Sequence, residues 1–181
     1  MAGFYGIYRA QMDGSGLTTL VPGANGVTAT GIAIDPDSGR LFWTYDRTGQ
    51  IVSSFRNGSG IKTVVQVDLP VWENSSGPWG LVVLDGILYW GNWEDGTLQR
   101  SSVTGQDVAT VYSGTRRVQQ LTLIPSPDPK RVGAKSLSSP CESQGCSHLC
   151  VTAAANTYRC FCPQGLNRAG DSKTCLDANV K

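Results

Sequence analysis

The first 140 residues of this 181-residue chain contain no cysteine, and the whole chain has one histidine and few charged residues. Charged side chains make up 16% of the sequence, against about a quarter in an average soluble domain. The formal net charge is +1. Composition therefore gives no support to nucleic-acid binding or to a polybasic membrane anchor.

Long apolar segments are also missing. No apolar run approaches the roughly 20 residues of a membrane-spanning helix. The N-terminal sequence MAGFYGIYRAQMDG lacks the positive region and apolar core of a secretory signal. Because the cysteines indicate an oxidising compartment, as described next, we expect the chain to be part of a longer extracellular protein.

All six cysteines lie between Cys141 and Cys175, with the spacing C-x4-C-x3-C-x9-C-x-C-x12-C. An even number in a segment too short to bury a core predicts a small module held by disulfides. Spacing alone does not choose among the 15 pairings that six cysteines allow. A zinc site needs four ligands at regular spacing, which the C-x-C segment and the lone His148 fit poorly. We therefore expect disulfides and no metal. We also expect no calcium in this module, because residues 137–140, just before the first cysteine, offer few oxygen ligands.

An internal repeat runs through the cysteine-free part. Residues 31–60 realign with residues 80–105, and shorter matches lie at 6–16 and 119–124. Spacings of 40 to 49 residues, with several short strands in each unit, are typical of propeller blades. A propeller closes with about four to eight blades. Either further blades lie elsewhere in the full protein, or sheet edges and faces stay open.

Alternation and β-branched or aromatic enrichment predict four strands in each full unit. The predicted strands are 31–35, 40–45, 50–56 and 62–67 in the first unit, and 80–84, 87–92, 97–103 and 107–112 in the second. Residues 119–124 match the opening strand of a unit.

The aromatic pairs Phe42-Trp43 and Tyr89-Trp90 resemble the YWTD signature of the low-density lipoprotein receptor family. The strings DGSG (13–16), NGSG (57–60) and GCSHLC (145–150) resemble that family too. In that family, six YWTD blades form a propeller and an EGF-like module follows directly. The resemblance implies an all-β fold: a partial YWTD β-propeller with two full four-stranded blades plus partial blades, then a small disulfide-rich EGF-like module. The implied boundaries are 1–125 for the propeller, 126–140 for a linker, 141–175 for the EGF-like module and 176–181 for a tail.

The resemblance also implies three disulfides, Cys141–Cys150, Cys146–Cys160 and Cys162–Cys175. The segment 78–100 resembles the last blade before the EGF-like module in the Wnt co-receptor branch. The sequence departs from the signature at Thr44-Tyr45 and Gly91-Asn92, which stand where the family has Thr-Asp. Because the family Asp bridges neighbouring blades, support between blades is in question here.

The resemblance implies an extracellular protein-binding segment of a low-density lipoprotein receptor-related receptor, which binds protein ligands for endocytosis or for Wnt-type co-receptor signalling. The full-length protein is then membrane-anchored at the cell surface. The alternative is a nidogen-like extracellular matrix protein with the same modules. We expect no enzyme and no cofactor, because the single His148 leaves a serine or cysteine nucleophile without a second histidine. The acidic pairs Asp35/Asp37 and Glu94/Asp95 fall in turns, where Asp is common.

Tryptophans supply the candidate ligand face. Trp79 and Trp93 fall where a propeller rim is expected, and aromatic side chains are the usual anchors of interfaces. Glu94, Asp95 and Glu73 would add an acidic edge that selects basic ligands. The alternative is that these tryptophans only cover blade faces.

Two sequons, at Asn57 and Asn74, are glycosylation candidates in predicted loops. In the linker, residues 131–134 are expected to add a short strand.

Overall fold

The computed structural model describes residues 6–23, 28–69, 77–114, 117–124, 141, 144–153 and 157–177. Within these residues all regular structure is β, and no helix there is long and apolar enough to cross a membrane. The strands are β1 (Ile7–Arg9), β2 (Thr18–Val21), β3 (Ala29–Ile34), β4 (Leu41–Tyr45), β5 (Gln50–Ser54), β6 (Lys62–Gln66), β7 (Pro78–Leu84), β8 (Ile87–Asn92), β9 (Thr97–Ser102), β10 (Ala109–Ser113), β11 (Leu149–Ala153), β12 (Thr157–Phe161), β13 (Leu166–Arg168) and β14 (Cys175–Asp177).

The chain divides into two compact units. One comprises residues 1–7 and 19–125, and the other comprises residues 8–18 and 126–181. The predicted domain boundaries stay a prediction, because the linker 126–140 lies outside the described residues. The strand predicted at 131–134 lies outside them as well.

Two four-stranded antiparallel sheets form the repeat, in the orders β3-β4-β5-β6 and β7-β8-β9-β10. Successive strands pair through hairpins, as in a propeller blade. The inner strands start earlier than the sequence predicts, at Ala29 and Pro78. Each contains a bulge near its start, between Ala29 and Gly31 and between Trp79 and Leu81. A bulge interrupts the two-residue alternation, which hides the start of the strand from a periodicity argument.

Two apolar clusters form the core because successive side chains of a strand point to opposite faces. In one cluster, Trp43 lies with Ile7 and Val21. In the other, Phe42 lies with Trp90 and Leu88 of the second sheet. Phe42 and Trp43 therefore pack on opposite sides of the first sheet, and both rings are fully buried.

Glycines in the loops after β5 and β9 allow close approach of the preceding sheet. A Cβ at Gly58 would lie 2.2 Å from the Leu20 carbonyl oxygen, and one at Gly105 would lie 2.0 Å from the Val64 carbonyl oxygen. Gly14 occupies the same place in the first hairpin, and a Cβ there would meet nothing within 4 Å. All three have positive φ, which other residues rarely adopt.

Residues 119–124 do not form the strand that the sequence predicts. The segment passes close to β7, since a Cβ on Gly80 would lie 2.9 Å from the Gln120 Cα atom. A Cβ on Gly91 would lie 2.2 Å from a methyl carbon of Val118. The backbone thus follows the second sheet without hydrogen-bonded pairing, and a strand needs a partner to satisfy its main-chain groups.

The face of the second sheet that points away from the first is less buried. Val65 on β6 is 4% exposed, whereas Tyr112, which occupies the matching place on β10, is 60% exposed. All five residues of β10 are exposed. This face is a surface in the described part of the chain.

The cysteine-rich unit contains two small hairpins, β11-β12 and β13-β14. Its disulfides join Cys141 to Cys150, Cys146 to Cys160 and Cys162 to Cys175, which are the pairs that the resemblance implies. Asp171 orders the turn before Cys175 by accepting hydrogen bonds from Thr174 Oγ1 at 2.6 Å, Thr174 N at 2.9 Å and Lys173 N at 2.8 Å. These hydrogen bonds lower the pKa of Asp171 to about 2, and the bond from the Thr174 side chain has the largest effect.

The same unit contains the tip of the first hairpin. Arg159 Nε on β12 lies 3.3 Å from the Asp13 carboxylate, whose side chain is 1% exposed. The carboxylate also accepts hydrogen bonds from Ser15 N and Oγ. The hydrogen bonds from Ser15 have the largest effect in lowering the pKa of Asp13, and the positive charge of Arg159 lowers it further.

Candidate functional site

Trp79 and Trp93, the tryptophans of the predicted ligand face, lie against each other. Trp79 is the second residue of β7 and Trp93 directly follows β8. Because these strands are antiparallel neighbours, the start of one meets the end of the other, and the ring centroids are 4.9 Å apart with 34° between the ring planes. Trp79 pairs with Gly91, which has no side chain. Both rings are half-buried.

An arginine that the sequence reasoning missed completes this group. The Arg117 guanidinium carbon lies 5.0 Å from the centroid of the Trp93 ring, within the range of a cation–π interaction. Arg117 is exposed. No spacing signal points to it, because it follows the last strand of the second sheet. We call Trp79, Trp93 and Arg117 the Trp-Arg cluster.

Asp95 of the predicted acidic edge takes part in hydrogen bonds within its own turn. Asp95 Oδ1 accepts hydrogen bonds from Thr97 N at 2.9 Å and Thr97 Oγ1 at 2.7 Å, and Asp95 Oδ2 accepts one from Asn92 Nδ2 at 3.1 Å. The carboxylate therefore holds the turn between β8 and β9. Glu94 beside it is half-buried and has interactions of its own. Glu73 lies outside the described residues.

Trp43 and Trp90 pack inside the sheets at the repeated position. Trp90 Nε1 donates a hydrogen bond to Gln99 Oε1 at 3.1 Å. Trp43 Nε1 is buried with no acceptor among the described residues, and Val52 stands at the cross-strand position that Gln99 takes in the other sheet. Thr30 Oγ1 donates a hydrogen bond to Pro78 O at 3.0 Å, which links the first sheet to the second. Within the first sheet, Thr30 Oγ1 also lies 3.0 Å from Thr44 Oγ1, in a second hydrogen bond.

The remaining candidates are distributed over the surface. Asn57 is exposed in the loop after β5, where its side-chain oxygen accepts hydrogen bonds from Ser59 N and Oγ. Asn74 lies outside the described residues. His148 is exposed, and its Nδ1 lies 2.9 Å from Ser147 Oγ. Among the described residues, no group of three or more His, Cys, Asp or Glu side chains is arranged to hold a metal ion.

Comparison with known proteins agrees with this architecture. A model of the EGF-like domain matches residues 141–171. Human low-density lipoprotein receptor-related protein 4 is 31% identical over 145 residues, covering 80% of this chain and 7% of that protein. The vitellogenin receptor Yl of Drosophila melanogaster is 29% identical over 175 residues, covering 94% of this chain and 8% of that receptor. The chain thus spans 7–8% of the length of these relatives.

A solved structure supports the fold independently. A chain of a nidogen–laminin complex superposes with a TM-score of 0.51 at 24% identity, covering 60% of this chain and 40% of that one.

Four-stranded propeller-type sheets followed by an EGF-like module define the class of the protein: a segment of a modular extracellular ectodomain. Its relatives at about 30% identity are a low-density lipoprotein receptor-related protein and a vitellogenin receptor. The chain belongs to the low-density lipoprotein receptor-related protein family.

Proposed function

We propose that this segment binds extracellular protein ligands and that the Trp-Arg cluster is the anchor of the binding surface. The observation that supports this most is the stacking of Trp79 on Trp93 with Arg117 over the second ring. Tryptophan and arginine are the residues most enriched at interface hot spots. Both rings are partly exposed, so a partner can remove further apolar area from water.

The charge of the cluster suggests what the partner presents. Both carboxylate oxygens of Asp95 accept hydrogen bonds within the protein, whereas Arg117 is exposed. We infer a partner that places an apolar side chain on the tryptophans and a carboxylate beside Arg117, since an ion pair at the rim adds selectivity. This differs from the basic ligand expected from the sequence.

The receptor role is part of the proposal. One relative is named a vitellogenin receptor and another a low-density lipoprotein receptor-related protein. These names support ligand capture at a cell surface by a membrane-anchored full-length protein, for endocytosis or for Wnt-type co-receptor signalling. The nidogen-like matrix alternative has only the likeness of fold in its favour. Glycosylation at Asn57 and Asn74 belongs to the same proposal.

Binding to purified vitellogenin and purified laminin, each tested separately on the immobilised secreted chain, checks the proposal. Vitellogenin represents the ligand named in one relative, and laminin represents the partner named in the nidogen structure. Vitellogenin binding supports the receptor role, and binding of laminin alone supports the matrix role. Failure of both probes contradicts the proposal.

A pair of variants tests the site. Trp93→Ala is expected to weaken binding at least tenfold, or about 1.4 kcal/mol. Phe55→Ala is the matched control, because Phe55 is also an exposed ring that carries an arginine, with Arg40 4.6 Å from its centroid. Equal affinity of the two variants for the bound probe would show that the Trp-Arg cluster is not the anchor.

A further inference from the structure

Three inner segments of the repeat lie around one space. Strands β3 and β7 and the start of residues 119–124 line an open cavity of about 300 Å³, and a propeller arranges its inner strands around a central channel. The step from one inner segment to the next repeats. A Cβ on Gly31 would lie 2.9 Å from Leu81 N, and a Cβ on Gly80 would lie 2.9 Å from Leu121 N. Residues 119–124 therefore take the place of an inner strand, and we call them the third inner segment.

The face of the first sheet that points away from the second is only half covered. Trp43 on β4 is fully buried there against the β1-β2 hairpin. Its cross-strand neighbour Ile32 on β3 shares that face, but Ile32 and Ile34 are each 54% exposed. The matching residues of the second sheet, Leu81 and Val83, are each 5% exposed because the first sheet covers them. The first sheet thus lacks, at β3, the inner neighbour that β3 itself gives to β7.

The third inner segment has the complementary gap. Leu121, which takes the place of Leu81, is half-buried against the second sheet. Thr122 and Ile124 are exposed, Ile124 to 86%. Among the described residues no further sheet follows this segment. The series of inner segments therefore ends on an exposed apolar side chain, just as it begins on two exposed isoleucines.

We propose that two copies of this chain associate head to tail, with the third inner segment of each copy against Ile32 and Ile34 of the other. The two surfaces fit because they are the two ends of one repeat: β3 lacks an inner segment before it, and the third inner segment lacks a sheet after it. Each copy has three inner segments, so two copies supply six, within the range of about four to eight that closes a propeller. The contact residues are uncharged and the chain carries a formal net charge of +1, so repulsion between copies is small.

Sedimentation equilibrium of the purified chain at about 1 μM to about 1 mM, the range of weak association, tests the proposal. A reversible equilibrium between monomer and dimer is expected. Ile32→Ser is expected to weaken dimerisation at least tenfold, because it removes an apolar side chain from both contacts of the closed pair. Ile61→Ser is the matched control, since Ile61 is 53% exposed but lies in the loop before β6. Far-ultraviolet dichroism shows that each variant folds.

A mixture of two variants distinguishes a head-to-tail contact from a contact between identical faces. Ile124→Ser alters the other surface and should weaken dimerisation as Ile32→Ser does. Mixing the two variants should recover part of the affinity, because one of the two contacts then joins two unaltered surfaces. If identical faces met, only one of the two variants would weaken dimerisation and the mixture would gain nothing, which would contradict the head-to-tail arrangement.

Three further results would overturn the proposal. A monomer over the whole concentration range would mean that another protein, or other parts of a longer chain, cover the two surfaces. Dimerisation that is unchanged in Ile32→Ser, or weakened equally in Ile61→Ser, would place the contact elsewhere. Oligomers that keep growing with concentration would mean that the head-to-tail contact builds an open chain instead of closing at two copies.

Discussion

The repeated loop glycine offers a comparison between three equivalent sites in one chain. Gly14, Gly58 and Gly105 have φ values of 81°, 83° and 88°, so replacement by alanine imposes the same left-handed backbone on each. That conformation costs a residue with a Cβ about 1–2 kcal/mol. Alanine also has less conformational freedom than glycine in the unfolded chain, which offsets about 0.4–1 kcal/mol of that cost. We therefore expect Gly14→Ala to cost about 1 kcal/mol.

Gly105→Ala adds a clash that Gly14→Ala lacks. The new Cβ would lie 2.0 Å from the Val64 carbonyl oxygen, whereas carbon–oxygen contacts are normally about 3.3 Å or longer. The sheets must separate by about 1 Å, and such overpacking costs roughly 1–3 kcal/mol. The expected total is about 2–4 kcal/mol. Gly58→Ala should behave like Gly105→Ala, since its Cβ would lie 2.2 Å from the Leu20 carbonyl oxygen.

Urea unfolding followed by far-ultraviolet dichroism, which detects the strands of both units, measures these differences in the free energy of unfolding. All five tryptophans lie in the cysteine-free part of the chain, so tryptophan fluorescence follows the unit with Gly58 and Gly105 separately, whereas Gly14 belongs to the unit with the disulfides. The far-ultraviolet dichroism of each variant in water shows whether it folds. Equal destabilisation at Gly14 and Gly105 would refute the close-approach explanation and leave only the backbone term.

Three further outcomes are expected. Trp90→Phe should lower stability by about 1 kcal/mol more than Trp43→Phe, because only Trp90 loses a hydrogen bond, to Gln99; urea midpoints of the two variants check this. Because the pKa of Asp171 is lowered from 3.8 to about 2, its contribution to stability is complete above about pH 4 and is lost as the pH falls towards 2. Asp171→Asn should remove that part of the acid dependence in an unfolding series from pH 7 to pH 2. A thiol titration of the denatured, unreduced chain should find no free cysteine, and any reactive thiol would contradict the three disulfides.

The repeated strands were predictable because similar runs of β-branched and aromatic residues recur between turn residues. The strand 87–92 was predicted at both ends, since the aliphatic and aromatic run 87–90 lies between the turn residues Asp85-Gly86 and Asp95-Gly96. Residues 119–124 show the limit of that signal. Their pattern matches an inner strand, but pairing depends on a neighbouring strand that the described residues do not supply, and a local pattern contains no information about that neighbour.

The candidate site was predictable only in part. That Trp79 and Trp93 are neighbours follows from the repeat, because one lies near the start of β7 and the other at the end of β8. The sequence could not show that Arg117 lies over Trp93, since this contact depends on the path of the chain after β10. Nor could it show that Asp95 is held by Thr97, which competes with any role in ligand binding.

The loop glycines also bear on how the chain folds during synthesis. Gly58 contacts a strand made earlier, at Leu20, and Gly105 contacts one made earlier, at Val64. Each sheet that leaves the ribosome therefore meets a docking surface already formed, and contacts between neighbouring units let structure grow from one unit to the next. Folding from the N-terminus during translation suits this direction. A substitution at Gly58 is then expected to delay the docking of the sheet β3–β6, whereas one at Gly105 does not affect the docking of that sheet.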